Sequence, residues 1–595
     1  MYVLATAGHV DHGKSALVRA LTGTEPDRWD EERRRGLTID LGFATTTLGS
    51  GRVVSFVDVP GHERFLANML SGLGPASMVC FVVAADQGWQ AQSSDHRDAL
   101  AALGIESGLV VITRTDLAPE RVPEVLERTR CELAATGLRD APAVTVSAHT
   151  GEGLDQLRAA LDDLLAVQPE PAADEPVRLW IDRAFSLRGA GTIVTGTLAA
   201  GQLRREQSLH LLGETIDETV TVRGLQAHGR EVETQRGATR VAVNLRGLSA
   251  EHLGRGQVLL TPGAWHLTDT VDVRHTSGED FSQTPKHVTV HIGSAAVGAR
   301  CRPFDESSAR VILARPVPLR IGDRLLLRSS GGRTELTGAQ ALDVAPPPLT
   351  RRGDGTRRMA ALAGMSAAGD LVDEVRRRSP VTADMLQRMG IVIPEPLPPG
   401  VRRLGPWLIE AEHVDAWTQL LRAAVESHRR HDPLSAGLSH GAAIRSLDIP
   451  DGTLLAPLIA EAGLQHSAGR ITTASAPPGL GAAEESVLTV ERELSERPFH
   501  APEASRLDEL GLSDRELAAA ERQGRLLRLP GGVVLLPSSP ARAMKELVRL
   551  EQPFTMSAAR DALGTTRRVA VPLLEYLDAR GWTRRLDASL REVVR

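Results

Sequence analysis

The stretch Gly8-His9-Val10-Asp11-His12-Gly13-Lys14-Ser15, GHVDHGKS, follows the apolar run YVLATA and leads into the helix-forming SALVRAL. A glycine loop between a strand and a helix aims backbone N–H groups at phosphate oxygens, while its lysine reaches the β- and γ-phosphates and its serine hydroxyl holds magnesium. Lys14 is one of three lysines in 595 residues, with Lys286 and Lys545; every other basic side chain apart from histidine is arginine. A chain this poor in lysine keeps one here because a compact ammonium on a flexible stem fits between loop and phosphates, where a planar guanidinium would clash or reorient. The loop alone leaves ATP and GTP both open.

Downstream features come in the order that a GTPase needs. RRRGLTID carries Thr38, whose hydroxyl can bind magnesium and sense a γ-phosphate; DVPGHE carries Asp58, an outer-shell magnesium acid, and Gly61, whose N–H can meet the γ-phosphate. Two such segments can order in one nucleotide state and relax in the other.

From Tyr2 to about Val167, apolar runs (YVLATA, VVSFVDV, MVCFVVAA, GLVVIT, AVTVSA) alternate with helical stretches, which predicts a parallel sheet covered by helices. VQPEPAADEP reads as a linker, and the short alternating runs between Val177 and Val344 predict two small β-barrels. After a second linker, APPPLTRRGDG, the glycines at 400, 463, 524 and 581 stand 63, 61 and 57 residues apart, each opening a short strand pair. That spacing predicts a repeated module of helices plus a hairpin, the winged helix. The expected fold is therefore multidomain: an α/β P-loop GTPase domain (1–167), two β-barrels (176–262, 263–346) and four tandem winged helices (350–415, 416–477, 482–538, 541–595).

Net charge is -6, which excludes a uniformly basic nucleic-acid binder, yet residues 541–595 hold eleven Lys or Arg against seven Asp or Glu. The basic patch is terminal. The amino terminus has no basic signal region and no apolar run of about 18 residues occurs, so a cytoplasmic protein without a membrane span is expected. Cys80, Cys131 and Cys301, odd in number and widely spaced, read as reduced, buried thiols.

The combination of GHVDHGK, a switch threonine in RGLT and DVPGH resembles the signature of the translational GTPases, over roughly residues 1–345. The resemblance implies GTP/GDP and Mg2+ as ligands, slow hydrolysis in isolation, His62 as the residue that orients the attacking water on the ribosome, and Val10 and Leu37 as the apolar pair beside it. The family writes Asn-Lys-x-Asp after the fifth strand, where this chain has Thr113-Arg114-Thr115-Asp116. Asp116 retains the carboxylate for guanine N1 and N2, and Ser147-Ala148 supplies the loop N–H for O6. Thr113 cannot copy an asparagine amide, so looser nucleotide binding is expected.

The tail, and above all LGTTRRVAVPLLEYLDARGWTRR, resembles that of the bacterial selenocysteine-specific elongation factors. By that resemblance Asp182, Arg183 and Arg240, with Phe43, surround the bound amino acid, and a guanidinium favours an ionised selenol over a serine hydroxyl by about 1.5 to 3 kcal/mol. Arg567 and Arg568, at the start of a recognition helix, and Arg584 and Arg585, in the wing, are the expected contacts to an mRNA hairpin beside a UGA codon. The partners so implied are selenocysteinyl-tRNA, that hairpin and the ribosome, around a monomer. Two other readings predict different behaviour: a general elongation or initiation GTPase with an unrelated tail would accept ordinary charged tRNAs, and a GTP-regulated DNA-binding protein would bind duplex DNA through residues 350–595.

Overall fold

The computed structural model describes residues 2–26, 38, 40–62, 65–189, 191–329, 336–432, 434–435, 437–473 and 480–594. Six strands, β1 (Tyr2–Ala7), β2 (Gly42–Thr47), β3 (Val53–Asp58), β4 (Met78–Ala84), β5 (Ser107–Thr113) and β6 (Ala143–Thr145), form one sheet in the order β2-β3-β1-β4-β5-β6. Only β2 runs antiparallel to its neighbour. Every residue of β4, MVCFVVA, is buried, as an inner parallel strand with helices on both faces requires. Alternation along it feeds two cores: Met78, Cys80 and Val82 pack with Leu17 and Leu161, while Val79, Phe81 and Val83 pack with Met69 and Leu100.

Two barrels follow. In the first, Ser208–Leu212 pairs with both Val258–Leu260 and Asp217–Ala227, which closes the ring of strands. A bulge interrupts its strand Arg178–Leu187: Ile181 pairs with Gly196 and Arg183 with Thr195, so Asp182 is the extra residue. Bulges re-aim side chains, and this one turns Asp182 onto Arg240. The second barrel, residues Leu267–Asp343, is closed by six strands.

The chain forms two compact units, residues 1–377 with 382–396, and residues 378–381 with 397–595. The segment 350–415, expected as one winged helix, is divided between them. The cause is electrostatic: Arg358, on the helix Asp354–Ala363, donates to Asp272 Oδ2 at 2.6 Å and Asp343 Oδ2 at 2.5 Å inside the second barrel, where Arg310 also donates to Asp272. A buried charge is tolerated only when so paired, and the pairing binds this helix to the barrel. Backbone bonds from His266 to Arg388 and from Ile321 to Met389 add to it.

In the second unit the glycine-started hairpins are present: Val401–Leu404 with Trp407–Glu410, Leu464–Ser467 with Arg470–Thr473, Leu527–Leu529 with Val533–Leu535, and Thr583–Arg585 with Leu590–Val593. The last two modules share a single core that runs from Leu480 to Leu577. No helix among the described residues is long and apolar enough to cross a membrane.

Cys80 and Cys301 are buried and their thiols are pushed up by burial, Cys80 to about 12 and Cys301 to about 11. Cys131 is exposed, against expectation. Its helix, Val122–Leu133, buries Val125, Thr129 and Leu133, and position 131 falls off that four-residue stripe.

Candidate functional site

The helix Lys14–Thr22 starts at Gly13, in the left-handed region at φ 81°, with no side chain capping it. Its first N–H groups are thus kept for a ligand, where the helix dipole favours an anion. Lys14 is buried and its Nζ donates to the Gly8 carbonyl at 2.9 Å and the His9 carbonyl at 2.8 Å. Gly8 and Gly61 must both be glycine: a Cβ on the first would lie 2.2 Å from the Val82 oxygen, and one on the second 2.6 Å from Lys14 Nζ and 2.5 Å from the Val10 nitrogen. Asp11, at the loop's turn, also has a positive φ of 64° and is exposed.

Three oxygens converge beside the loop. Ser15 Oγ donates to Asp58 Oδ2 at 2.6 Å and stands 3.0 Å from Thr38 Oγ1. Hydroxyls and a carboxylate are the hard donors that Mg2+ takes, so the set fits that ion. Burial pushes the Asp58 carboxyl up, with Ser15, Thr6 and Lys14 opposing; a divalent cation nearby would hold it ionised. Leu37, expected beside Val10, lies outside the described residues.

Several side chains that serve this loop carry no motif. Thr6 Oγ1 donates to Asp58 Oδ1 at 2.6 Å and receives Val59 N–H. His96 Nδ1 accepts Gly8 N–H at 3.2 Å, and Gln92 Oε1 accepts Val10 N–H. Burial drives His96 well below the usual imidazole range and His12 to about 3, so both are neutral supports; His12 Nδ1 faces the Val82 carbonyl at 3.3 Å. Burial lowers His9 as well, with Lys14 adding to it. His62, half-buried after Gly61, lines a small cavity with Pro60, Leu66, Met69, Asp95 and His96.

At the position expected to read the base, Thr113 is buried and its Oγ1 donates to the His12 carbonyl at 2.7 Å. It therefore ties β5 to the phosphate loop with one bond. Arg114 turns away to Asp86 Oδ2 at 3.1 Å. Asp116 is exposed, and a hydrogen bond from Ser147 holds its carboxyl below the usual range, while Ala148 follows on the same loop.

A second cluster joins the GTPase domain to the first barrel. Arg240 Nη2 donates to Asp182 Oδ1 and Thr195 Oγ1, each at 2.8 Å, and its guanidinium lies 3.4 Å over the Phe43 ring. Such stacking over an aromatic face is the preferred seat of a partly desolvated guanidinium. Arg183 Nη2 donates to Asp40 Oδ2 at 2.8 Å, and its side chain keeps 24% exposure. Asp40 also accepts Arg255 Nη2 at 2.7 Å; burial would raise its carboxyl, but Arg255 and Arg183 bring it below the usual range. Neither Asp40 nor Arg255 stands out in the sequence.

The four terminal arginines are not equivalent. Arg567 is exposed at the first turn of the helix Arg567–Ala579. Arg568 donates to the Ala501 and Pro502 carbonyls and pairs with Glu503, which fastens the last module to the one before it. Arg584 pairs with Glu592 across the hairpin, and Arg585 donates to the Asp587 carbonyl.

A phosphate loop, with Thr38 and Asp58 brought beside its Ser15, and two closed barrels in one chain define a translational GTPase. Residues 1–167 match the family model of the Elongation factor Tu GTP binding domain, residues 268–348 the beta-barrel domain of the selenocysteine-specific elongation factor, and residues 546–589 the winged helix of elongation factor SelB. The chain is 31% identical to the selenocysteine-specific elongation factor of Escherichia coli (strain K12), over 100% of its own length and 99% of that protein's, and 30% identical to that of Desulfomicrobium baculatum, over 98% of both. It belongs to the selenocysteine-specific elongation factors. A crystal structure of the bacterial factor EF-Sec has the same fold, with a TM-score of 0.74 at 24% identity over 100% of both chains.

Proposed function

We propose that this GTPase carries selenocysteinyl-tRNA to the ribosome in the cytoplasm, as a monomer, and that its tail of four winged helices holds an mRNA hairpin beside the UGA codon. The observation that carries this reading is the cluster in which Arg183, Arg240 and Arg255 meet Asp40, Phe43 and Asp182 between GTPase domain and first barrel. Two of these guanidiniums, Arg183 and Arg240, form the aminoacyl pocket with Asp182 and Phe43. A selenolate gains a charge-assisted contact there that a serine hydroxyl does not.

Gly8 to Ser15 cradle the phosphates of GTP, Asp116, Ser147 and Ala148 hold the guanine, with Thr113 and Arg114 bracing that loop through His12 and Asp86, and Ser15, Thr38 and, through water, Asp58 would hold magnesium. The ion would neutralise negative charge on the phosphates there. His62 positions the water that attacks the γ-phosphate once the ribosome has aligned it. Arg567, Arg584 and Arg585 contact the hairpin's phosphates, and Arg568 acts mainly as the fastener of the module that presents them. Tethering at the codon raises the factor's local concentration to about the millimolar range.

The pocket is tested by Arg183→Gln. Affinity for selenocysteinyl-tRNA should fall about tenfold or more, the scale of one hydrogen bond to a charged group, with little change for the same tRNA carrying serine. Equal affinities before and after would remove Arg183 from the pocket.

A further inference from the structure

One side chain touches Asp40 beside Thr38, the helix that follows DVPGHE and the strand that bears Arg183. Arg255 Nη2 donates to Asp40 Oδ1, two residues after Thr38; its Nη1 donates to Asn68 Oδ1, in the helix Leu66–Leu73 that follows DVPGH; and its Nε donates at 3.3 Å to the carbonyl of Asp182, the extra residue of the bulge. The other oxygen of Asp40 takes Arg183 Nη2. Nε and Nη1 of Arg183 hold no partner among the described residues. One edge of Arg183 is thus braced and the other is kept for an anion.

We propose that Arg255 is the positioning residue through which the nucleotide state sets selenocysteine discrimination. The inference rests on the reading of Arg183 given above. With Thr38 drawn up to Ser15, Arg255 fixes Asp40, and Asp40 fixes the guanidinium of Arg183 against rotation. When the segment bearing Thr38 and Asp40 withdraws, Arg183 loses this brace, and a ligand must then order it at the expense of affinity. Arginine suits the role because three acceptors in three directions need a planar fork; an ammonium on a lysine stem could satisfy one of them at a time. Linkage makes the effect reciprocal: selenocysteinyl-tRNA tightens the triphosphate form by the factor that the triphosphate tightens the tRNA.

The test uses the full chain and the variants Arg255→Gln and Arg255→Lys, with thermal melts to confirm folding. Dissociation constants are measured for selenocysteinyl-tRNA and for the same tRNA carrying serine, each with saturating non-hydrolysable GTP analogue and with GDP. Arg255→Gln should reduce the selenocysteine-over-serine preference of the triphosphate form about tenfold, while Arg255→Lys keeps part of it. A purely structural role would weaken both charged tRNAs equally, and that result would overturn the coupling. An unchanged preference in Arg255→Gln would overturn the coupling alone. No preference in the unsubstituted protein would overturn the reading of Arg183 and the coupling with it.

Discussion

Lys14→Arg lowers GTP affinity by about 100-fold or more, as read by titration with a fluorescent GTP analogue, on the scale of losing one or two hydrogen bonds to charged groups. The substitution keeps the charge and follows the chain's own preference for arginine, so the loss isolates shape. Lys14 Nζ already occupies the space between the Gly8 and His9 carbonyls, and position 61 has no room for even a methyl group at 2.6 Å from that nitrogen. A guanidinium is broader than an ammonium and must push on that backbone or leave the cradle. Lys286→Arg, in the second barrel, serves as the control and leaves binding unchanged. Equal affinity for Lys14→Arg would mean that the loop tolerates either cation.

His62→Ala lowers ribosome-stimulated hydrolysis about 1000-fold, within the range for loss of a positioned acid–base or water-orienting group. GTP binding persists, because the proposed phosphate contacts are those of the loop, Lys14 and Ser15, and His62 lies outside that cradle beside Asp95 and His96. Single-turnover hydrolysis on programmed ribosomes, with binding measured in parallel, separates the two effects. Unchanged turnover would remove His62 from the reaction.

The convergence of the candidate nucleotide-site motifs was largely legible because each motif is contiguous. GHVDHGKS, DVPGHE and TRTD each sit at the end of a strand that the apolar runs mark, and the strand order brings them to one edge. Thr6, Gln92 and His96 were not legible: each acts across 52 to 88 residues through one or two hydrogen bonds, and no local pattern signals that. Thr113 was read as a loss, since it lacks an amide, yet its hydroxyl retains a bond to the phosphate loop.

The tail was legible as hairpins but not as packing. Glycine spacing marks where each hairpin opens, whereas the shared core of the last two modules depends on contacts such as Arg568 to Ala501, and the division of residues 350–415 depends on Arg358 finding Asp272, 86 residues away. The arginine cluster between GTPase domain and first barrel shows the same limit. Asp182 and Arg183 are adjacent in sequence, but the bulge sends one to Arg240 and the other to Asp40 of a different domain.

The central claim is that the chain selects selenocysteinyl-tRNA, and protection of the aminoacyl ester from hydrolysis tests it most directly. With GTP present, the protein should slow deacylation of selenocysteinyl-tRNA but not of the same tRNA carrying serine or of an ordinary elongator tRNA. Equal protection of all three would contradict the account and make the chain a general carrier, and protection of none would direct attention to the tail and to duplex DNA.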